Sequence, residues 1–404
     1  MMSTWMYKLV RYFTTALVAI ALLFAACGRQ PEGESAHGSG PQVSAAPAPQ
    51  DSLNNALTES RHNAITRAVA RVSPAVVGIN VTQMQRVTPR LRDPFWDSFF
   101  PELYRERSRK VESLGSGFMV SPDGYIVTNY HVINQATEII VTLTDGRRFS
   151  ARLVGSDPTS DISILKIDDD APFPFIKFGQ TRDILVGEWV ISLGNPFGLF
   201  ALNDQPTVTV GVVSATDRDW GRTDEGHLYL DMIQTDAAIN SGNSGGPLVN
   251  ALGEAIGMNT FIYTGSQYQS GNIGIGFAIP IERVREVYEE IRQHGRINRD
   301  VWLGIMDLQD LNPRLARALE LKGTNGVLVG NLESGSPAVK AGMRDYDVIV
   351  ALEGKKVDNR AELVEIYNNL DLRVGSSLKF LVERQGRQSE IKVILEQKPE
   401  LRRR

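Results

Sequence analysis

Seven residues, Gly242 to Leu248, read Gly-Asn-Ser-Gly-Gly-Pro-Leu and set one small nucleophile among glycines. A serine hydroxyl attacks a carbonyl only when a neighbouring base takes its proton, and the oxyanion so formed needs preorganised N–H donors. Glycines leave such donors unobstructed, which makes Gly242, Asn243 and Ser244 the candidate oxyanion-binding amides. The same segment would also serve as a plain Gly-rich turn between strands. Whether the chain supplies a base and an orienting carboxylate decides between the two.

Of the five histidines, His37 lies in a low-complexity stretch, His62 and His294 among helix-like charges, and His227 in a polar loop. His131 instead ends a short β-branched and aromatic run, Tyr125 to Asn129, that the turn Ser121-Pro122-Asp123-Gly124 opens. A lone histidine is commonly a satisfied structural residue, but the context Thr128-Asn129-Tyr130-His131-Val132 favours a base. The partner that holds an imidazole in one tautomer is a carboxylate that can be buried beside it. Asp161 fits, standing between the turn Asp157-Pro158-Thr159-Ser160 and the apolar strand Ile162 to Ile167, where a lone charge would be costly. A turn cap is the other reading of Asp161, and Asp157 is better placed for that.

The order His131, Asp161, Ser244 is that of chymotrypsin-like enzymes rather than of subtilisins or α/β-hydrolases. On these residues the sequence resembles the HtrA/Deg family of trypsin-like serine proteases. The resemblance is carried by Thr128 to Val132, by Ser160-Asp161-Ile162-Ser163-Ile164-Leu165-Lys166, by Leu193-Gly194-Asn195-Pro196-Phe197-Gly198, by Gln234-Thr235-Asp236-Ala237-Ala238-Ile239-Asn240 and by the nucleophile segment. It runs from about residue 60 to near the C-terminus. Departures are few: Tyr130 where asparagine is common, Ser241 where proline usually stiffens the loop before the oxyanion glycine, and Tyr346 where the second domain usually has glycine.

The elements that must position these groups are short strands. Hairpin signals recur at Glu138 to Leu143 and Arg148 to Val154 about Asp145-Gly146, and at Pro247 to Val249 and Ala255 to Thr260 about Leu252-Gly253. Two barrels, about Val72 to Gly179 and Thr181 to Pro280, place His131 and Asp161 on the first and Ser244 on the second. The expected fold class is mainly β, a chymotrypsin-like double β-barrel protease domain followed by one α+β PDZ domain. Beyond the helix Ile281 to His294, strands at Gly326 to Leu332 and Asp347 to Leu352, a helix at Asn359 to Leu370, a hairpin at Leu378 to Leu395 about Gly386, and Ser336-Pro337-Ala338 resemble that PDZ domain. Such a domain adds an extended peptide to a sheet edge and receives a terminal carboxylate on an amide-rich loop, matched here by Trp302-Leu303-Gly304-Ile305.

Specificity is argued by subtraction. The position six before the nucleophile, acidic in trypsin-like enzymes that select basic residues, is Ala238. With Ile239 and Ile275 nearby, an apolar S1 pocket taking Val, Ala or Ile is expected.

A formal net charge of −4 and a pI near 5.9 leave no electrostatic footprint for nucleic acid. No cofactor and no metal site are implied. Lys8 and Arg11, the apolar run Tyr12 to Ala26 and the small residues before Cys27 resemble a bacterial lipoprotein signal, with Cys27 lipidated; a simply cleaved signal and an uncleaved anchor are the alternatives. All three export the chain, and a lipid on Cys27 would tether it to the membrane. The expected layout is a signal at 1–26, a linker too poor in large apolar residues to fold at 27–57, a protease domain at 58–298 and a PDZ domain at 299–398. The aromatics Phe95, Trp96, Phe99 and Phe100 are expected to pack on a neighbouring subunit or in a local core, and the resemblance implies a homotrimer or higher assembly. The function read from all this is an envelope serine endopeptidase acting on unfolded or damaged proteins, the PDZ domain recognising peptide C-termini or extended peptides. A chaperone-like peptide-binding scaffold and a regulatory site-specific protease are the alternatives.

Overall fold

A capped helix leads into the first sheet. The Asn63 side chain accepts from the Thr66 N–H at 3.0 Å at the start of α1 (Ala64–Val72), and Ala68 and Val72, one turn apart, enter the core. The computed structural model describes residues 58–87, 107–170, 172–195, 205–240, 242–262 and 274–398, and residues from Thr58 onward belong to one compact unit. Cys27, the linker, the aromatic loop, Ser241 and the residues just after Asn195 lie outside the described residues.

Seven strands follow: β1 (Val76–Val87), β2 (Arg107–Met119), β3 (Tyr125–Thr128), β4 (Ala136–Leu143), β5 (Arg148–Ser150), β6 (Arg152–Asp157) and β7 (Ile162–Lys166). They pair antiparallel in the order β5-β4-β1-β2-β3-β7-β6. The two edge strands β5 and β6 are separated in sequence only by Ala151, so the sheet must roll until its edges meet. The sequence suggests a first strand over the apolar run Ala75 to Val81; β1 extends beyond it, pairing with β2 from Val76 opposite Phe118 to Val87 opposite Arg107. Its second half, Thr82 to Val87, is mostly polar in sequence and is paired along its length with β2. The short helix α2 (Tyr130–Ile133) leaves the end of β3.

The second half is a closed barrel of order β12-β15-β14-β13-β8-β9, built from β8 (Trp189–Gly194), β9 (Thr207–Arg218), β12 (Met232–Thr235), β13 (Pro247–Asn250), β14 (Ala255–Ile262) and β15 (Gly276–Pro280). Between β9 and β12, the two-residue strands β10 (Gly221–Arg222) and β11 (Leu228–Tyr229) form a separate hairpin. Helix α3 (Ile281–His294) buries Ile281, Val284, Val287, Tyr288 and Ile291, the stripe its helical period predicts, against β14 and β15 of one barrel and β6 and β7 of the other.

The last module is an antiparallel sheet with helices on it. Its elements are β16 (Val301–Trp302), β17 (Ile305–Asp310), α4 (Pro313–Ala318), β18 (Val327–Leu332), α5 (Pro337–Lys340), β19 (Val348–Leu352), β20 (Lys355–Lys356), α6 (Arg360–Asn368), β21 (Ser377–Arg384), β22 (Arg387–Ile394) and β23 (Glu396–Gln397). The sheet order is β17-β18-β19-β21-β22, which leaves β17 at an edge. Leu363 of α6, Phe380 and Val382 anchor the core of this module. Tyr346, where the family favours glycine, adopts a φ of 72°, and its side chain is exposed.

Arg299 ties this module to the first barrel. Its guanidinium donates to Asp157 Oδ1 at 2.7 Å and Oδ2 at 2.6 Å, and to Asp371 Oδ1 at 2.5 Å. Burial alone would raise the Asp157 pKa, but the Arg299 hydrogen bonds and charge hold it below the ordinary carboxylate value. Removing Arg299 leaves a 1% exposed carboxylate without its cation. Arg299→Ala is therefore expected to lower the unfolding free energy by about 3 kcal/mol, read by urea denaturation at pH 7. A carboxyl with a depressed folded pKa stabilises the fold above its unfolded pKa and ceases to do so as pH falls through the folded value. The gap between wild type and variant should therefore narrow below about pH 4.

Candidate active site

The three candidate groups arrive from three local structures. His131 sits in the first turn of α2, Asp161 at the entry to β7, and Ser244 in the turn before β13. Asp161 has a φ of 57°, a left-handed conformation that aspartate tolerates better than most residues. Its backbone carbonyl accepts from the Tyr130 N–H at 3.1 Å and from Asn129 Nδ2 at 3.0 Å, which fixes β7 to the start of α2.

The carboxylate of Asp161 is fully buried and surrounded by donors. Oδ1 accepts from the His131 backbone N–H at 2.9 Å, and Oδ2 pairs with His131 Nδ1 at 2.8 Å. An ionised carboxylate only accepts, so Nδ1 carries the proton and Nε2 is left as the basic nitrogen. Oδ2 also accepts from the Tyr229 hydroxyl at 3.0 Å and from Thr260 Oγ1 at 3.1 Å. Burial by itself would raise the Asp161 pKa, yet the hydrogen bond and charge of His131 hold it below the ordinary value. For His131, burial pulls downward, and the hydrogen bond and charge of Asp161, with a contribution from Glu225, outweigh it and raise the pKa above 6.5.

Ser244 stands in a turn whose shape requires glycine. The Asn243 N–H donates to the Asn240 carbonyl at 2.9 Å, and Gly242, the third residue of that turn, has a φ of 95°. Such a φ is open to glycine and costly for most other residues. The Asn243 amide is thereby engaged within the turn. Among the described residues, no acceptor meets the N–H of Gly242 or of Ser244, so these two remain of the three candidate oxyanion donors. A side chain at Gly245 would run into the Ser116 carbonyl and the Thr128 hydroxyl, so the nucleophile turn lies directly on the first barrel.

Ser116 of β2 fastens that contact. Its N–H donates to the Ser244 carbonyl at 3.0 Å, its Oγ donates to the Gly242 carbonyl at 2.5 Å, and the same Oγ accepts from the Asn195 N–H at 2.8 Å. The Ser244 hydroxyl donates to the Thr260 carbonyl at 2.9 Å. Sequence reasoning does not find Ser116, Tyr229 or Thr260, because each lies far from the motifs in sequence. His227, assigned there to a polar loop, is buried beside the site, with Nδ1 2.6 Å from the Pro158 carbonyl.

The residues expected to form the S1 pocket lie together in part. Ile239 is buried, with its side chain against the Cα of Gly276, next to half-buried Ile275; the Ala238 carbonyl accepts from the Thr209 hydroxyl at 2.7 Å. In the last module, Trp302, Leu303, Gly304 and Ile305 line one end of a groove of about 880 Å³ between the free edge of β17 and the Leu363, Val364 and Tyr367 face of α6. Among the described residues, the Leu303 and Gly304 N–H groups meet no acceptor. No group of metal-ligating side chains occurs among the described residues, and no helix among them is long and apolar enough to cross a membrane.

Residues 115–258 match the trypsin-like peptidase domain and residues 290–395 the PDZ domain. A Pseudomonas fluorescens protein named "Probable periplasmic serine endoprotease DegP-like" is 37% identical over 353 residues, covering 83% of this chain and 70% of its own length. A protein of the same name from Chlamydia trachomatis serovar D is 42% identical over 314 residues, 76% of this chain, which spans 59% of that relative. Among solved structures, the HtrA-type protease AlgW with decapeptide is 36% identical, with a TM-score of 0.58, 83% of this chain and 98% of that one being covered. The serine endoprotease from Yersinia pestis is 31% identical, with a TM-score of 0.52 and corresponding shares of 83% and 98%.

Two outcomes follow from the geometry. Ser116→Ala removes the donor that orients the Gly242 carbonyl, and is expected to lower kcat about tenfold with little change in KM on a fluorogenic peptide. With neutral His131 as the base and its pKa raised, kcat/KM should rise with pH through a midpoint above 6.5. A rate that stays flat between about pH 5 and 8 would exclude that role for the imidazole.

Proposed function

The chain belongs to the HtrA-type family of trypsin-like serine endoproteases with a PDZ domain, and from that premise we propose that it cuts unfolded or damaged proteins of the bacterial envelope through a His131, Asp161 and Ser244 triad. The observation that carries this reading is a fully buried Asp161 carboxylate bonded to the solvent-accessible His131 imidazole, with Thr260 bonding both Asp161 and a serine turn that, among the described residues, presents two unengaged amides.

In the proposed cycle the Ser244 hydroxyl leaves the Thr260 carbonyl by rotation about χ1 and turns to His131 Nε2. The imidazole takes the proton as Oγ attacks the peptide carbonyl, and Asp161 stabilises the imidazolium. The N–H groups of Gly242 and Ser244 receive the oxyanion. His131 then returns the proton to the leaving amine, and water hydrolyses the acyl-enzyme by the same steps in reverse. No cofactor is called for, since every proton and electron pair is accounted for by these groups.

Around that centre, Ala238, Ile239 and Ile275 form an uncharged S1 pocket for Val, Ala or Ile. The groove beside β17 takes a peptide C-terminus as an added strand, its carboxylate against the Leu303 and Gly304 amides and its apolar side chain against Leu363 and Tyr367. Export through the N-terminal signal, membrane tethering through lipid on Cys27 and assembly into a trimer or larger complex complete the reading.

The test compares the protein with its Ser244→Ala variant on a reduced, unfolded substrate, with and without C-terminal peptides, mapping each cut by mass spectrometry. Wild type should cleave after small or branched aliphatic residues, and the variant should lose at least about 10³-fold in rate. Equal cleavage by the two proteins overturns the triad, and cuts concentrated after Lys or Arg overturn the pocket assignment.

A further inference from the structure

The hairpin β10–β11 takes no part in the second barrel, yet it touches the turn that presents Asp161 at three points. The Leu228 N–H donates to the Thr159 carbonyl at 2.6 Å, His227 Nδ1–H to the Pro158 carbonyl at 2.6 Å, and the Tyr229 hydroxyl to Asp161 Oδ2 at 3.0 Å. The tyrosine ring is nearly buried, 7% exposed. A phenylalanine would fill that space equally well. A buried hydroxyl costs free energy unless it is bonded, so its presence calls for an acceptor, and the acceptor it has is the carboxylate that orients His131.

We propose that Tyr229 is a positioning residue of the acyl-transfer centre, its hydroxyl drawing charge from Asp161 Oδ2 and so setting how readily His131 takes up a proton. The inference rests on the triad reading of His131, Asp161 and Ser244. Oδ2 is shared by three donors, His131 Nδ1, Thr260 Oγ1 and Tyr229. Each bond to it reduces the negative charge left to stabilise an imidazolium. Burial and the Asp161 charge push the Tyr229 phenol up, so it stays protonated and remains a donor throughout the working range of pH. Without it the carboxylate pulls harder on His131, a larger fraction of the imidazole is protonated near neutrality, and less base is available. The carboxylate also loses the contact that keeps Oδ2 directed at Nδ1.

The charged and titratable groups facing this pair are Glu225, His227 and Tyr229 from the hairpin and Tyr130 from α2, with Asp157 and Arg299 farther along the same turn. None of them changes in Tyr229→Phe except the hydroxyl itself, which makes that variant the direct probe.

The experiment measures kcat/KM against pH on a fluorogenic peptide for the full protein, for Tyr229→Phe and for protein carrying 3,5-difluorotyrosine at position 229, with thermal melting of each. Tyr229→Phe is expected to move the acid limb upward by at least about 0.5 pH unit and to lower the plateau several-fold. The fluorinated phenol, a stronger donor, should move the limb downward. A residue that only fills space would change the melting temperature or the plateau and leave the limb in place. An acid limb that coincides with wild type in the folded variants overturns the proposal, and if Tyr229→Phe does not fold, the fluorinated protein alone decides. A wild-type profile without an acid limb, or a Ser244→Ala protein as active as wild type, instead overturns the triad reading beneath it.

Discussion

Asp161 presents a carboxylate with no exposure to solvent. An ionised group in such surroundings persists only when donors replace the water it has lost, and a carboxylate has no donors of its own to offer in exchange. Four protein groups meet this demand: the His131 N–H and Nδ1, Thr260 Oγ1 and the Tyr229 hydroxyl. They come from α2, β14 and the β10–β11 hairpin, so the charge is neutral to the fold only when both barrels are assembled around it. The same donors that make the burial tolerable leave the imidazole a single tautomer. Stability of the carboxylate and the tautomer of His131 are therefore one arrangement.

The nucleophile turn is held by the reverse dependence. It belongs to the second barrel through β13, but Ser116 of β2 orients the Gly242 and Ser244 carbonyls, and Gly245 is small enough to let the backbones touch. Anchoring these two carbonyls on the first barrel fixes the planes of the peptide bonds that join Gly242 to Asn243 and Ser244 to Gly245. The geometry of the candidate site is thus a property of the seam between two sheets.

How much of this is legible in the sequence depends on range. His131, Asp161 and Ser244 lie inside short motifs whose neighbours are turn and strand residues, and the signals there are local. Helix α3 is legible down to its buried stripe because a period of 3.6 residues is written in consecutive apolar positions. Tyr229 and Ser116 carry no local mark: one looks like an ordinary aromatic after a polar loop, the other like a serine between glycines. Their roles exist only after long-range pairing, Ser116 reaching Gly242 across 126 positions and Tyr229 reaching Asp161 across 68. His227 misleads for the same reason, since Glu225 and Gly226 beside it mark a solvent-facing turn while the imidazole folds back onto Pro158. The length of β1 was hidden because Thr82 to Val87 have the composition of a loop and take strand form from β2. The aromatic loop, Ser241 and Cys27 remain readings of sequence alone.

Charge at the junction between modules extends the constraint beyond the active site. Asp157 closes β6 four residues before Asp161, and the Ser160 hydroxyl donates to it at 2.5 Å. Arg299 bridges this carboxylate to Asp371, and Arg373 pairs with Glu290 of α3 at 2.9 Å and with Asp371 at 3.2 Å. On the other side of the same turn, Arg222 of β10 donates to the Asn368 carbonyl at 2.9 Å, and its N–H to Asn369 Oδ1 at 3.0 Å. Asn368 ends α6 and residues 369 to 371 follow directly on it; Leu363, Val364 and Tyr367 of the same helix line the groove beside β17. The turn that holds Asp161 therefore has residues at the C-terminal end of α6 bonded to both of its supports, Arg299 and the β10–β11 hairpin. A buried carboxylate tolerates little displacement before its hydrogen bonds lengthen, so these supports must stay in register with one another. The PDZ module is in that sense part of the scaffold on which the buried Asp161 carboxylate is held.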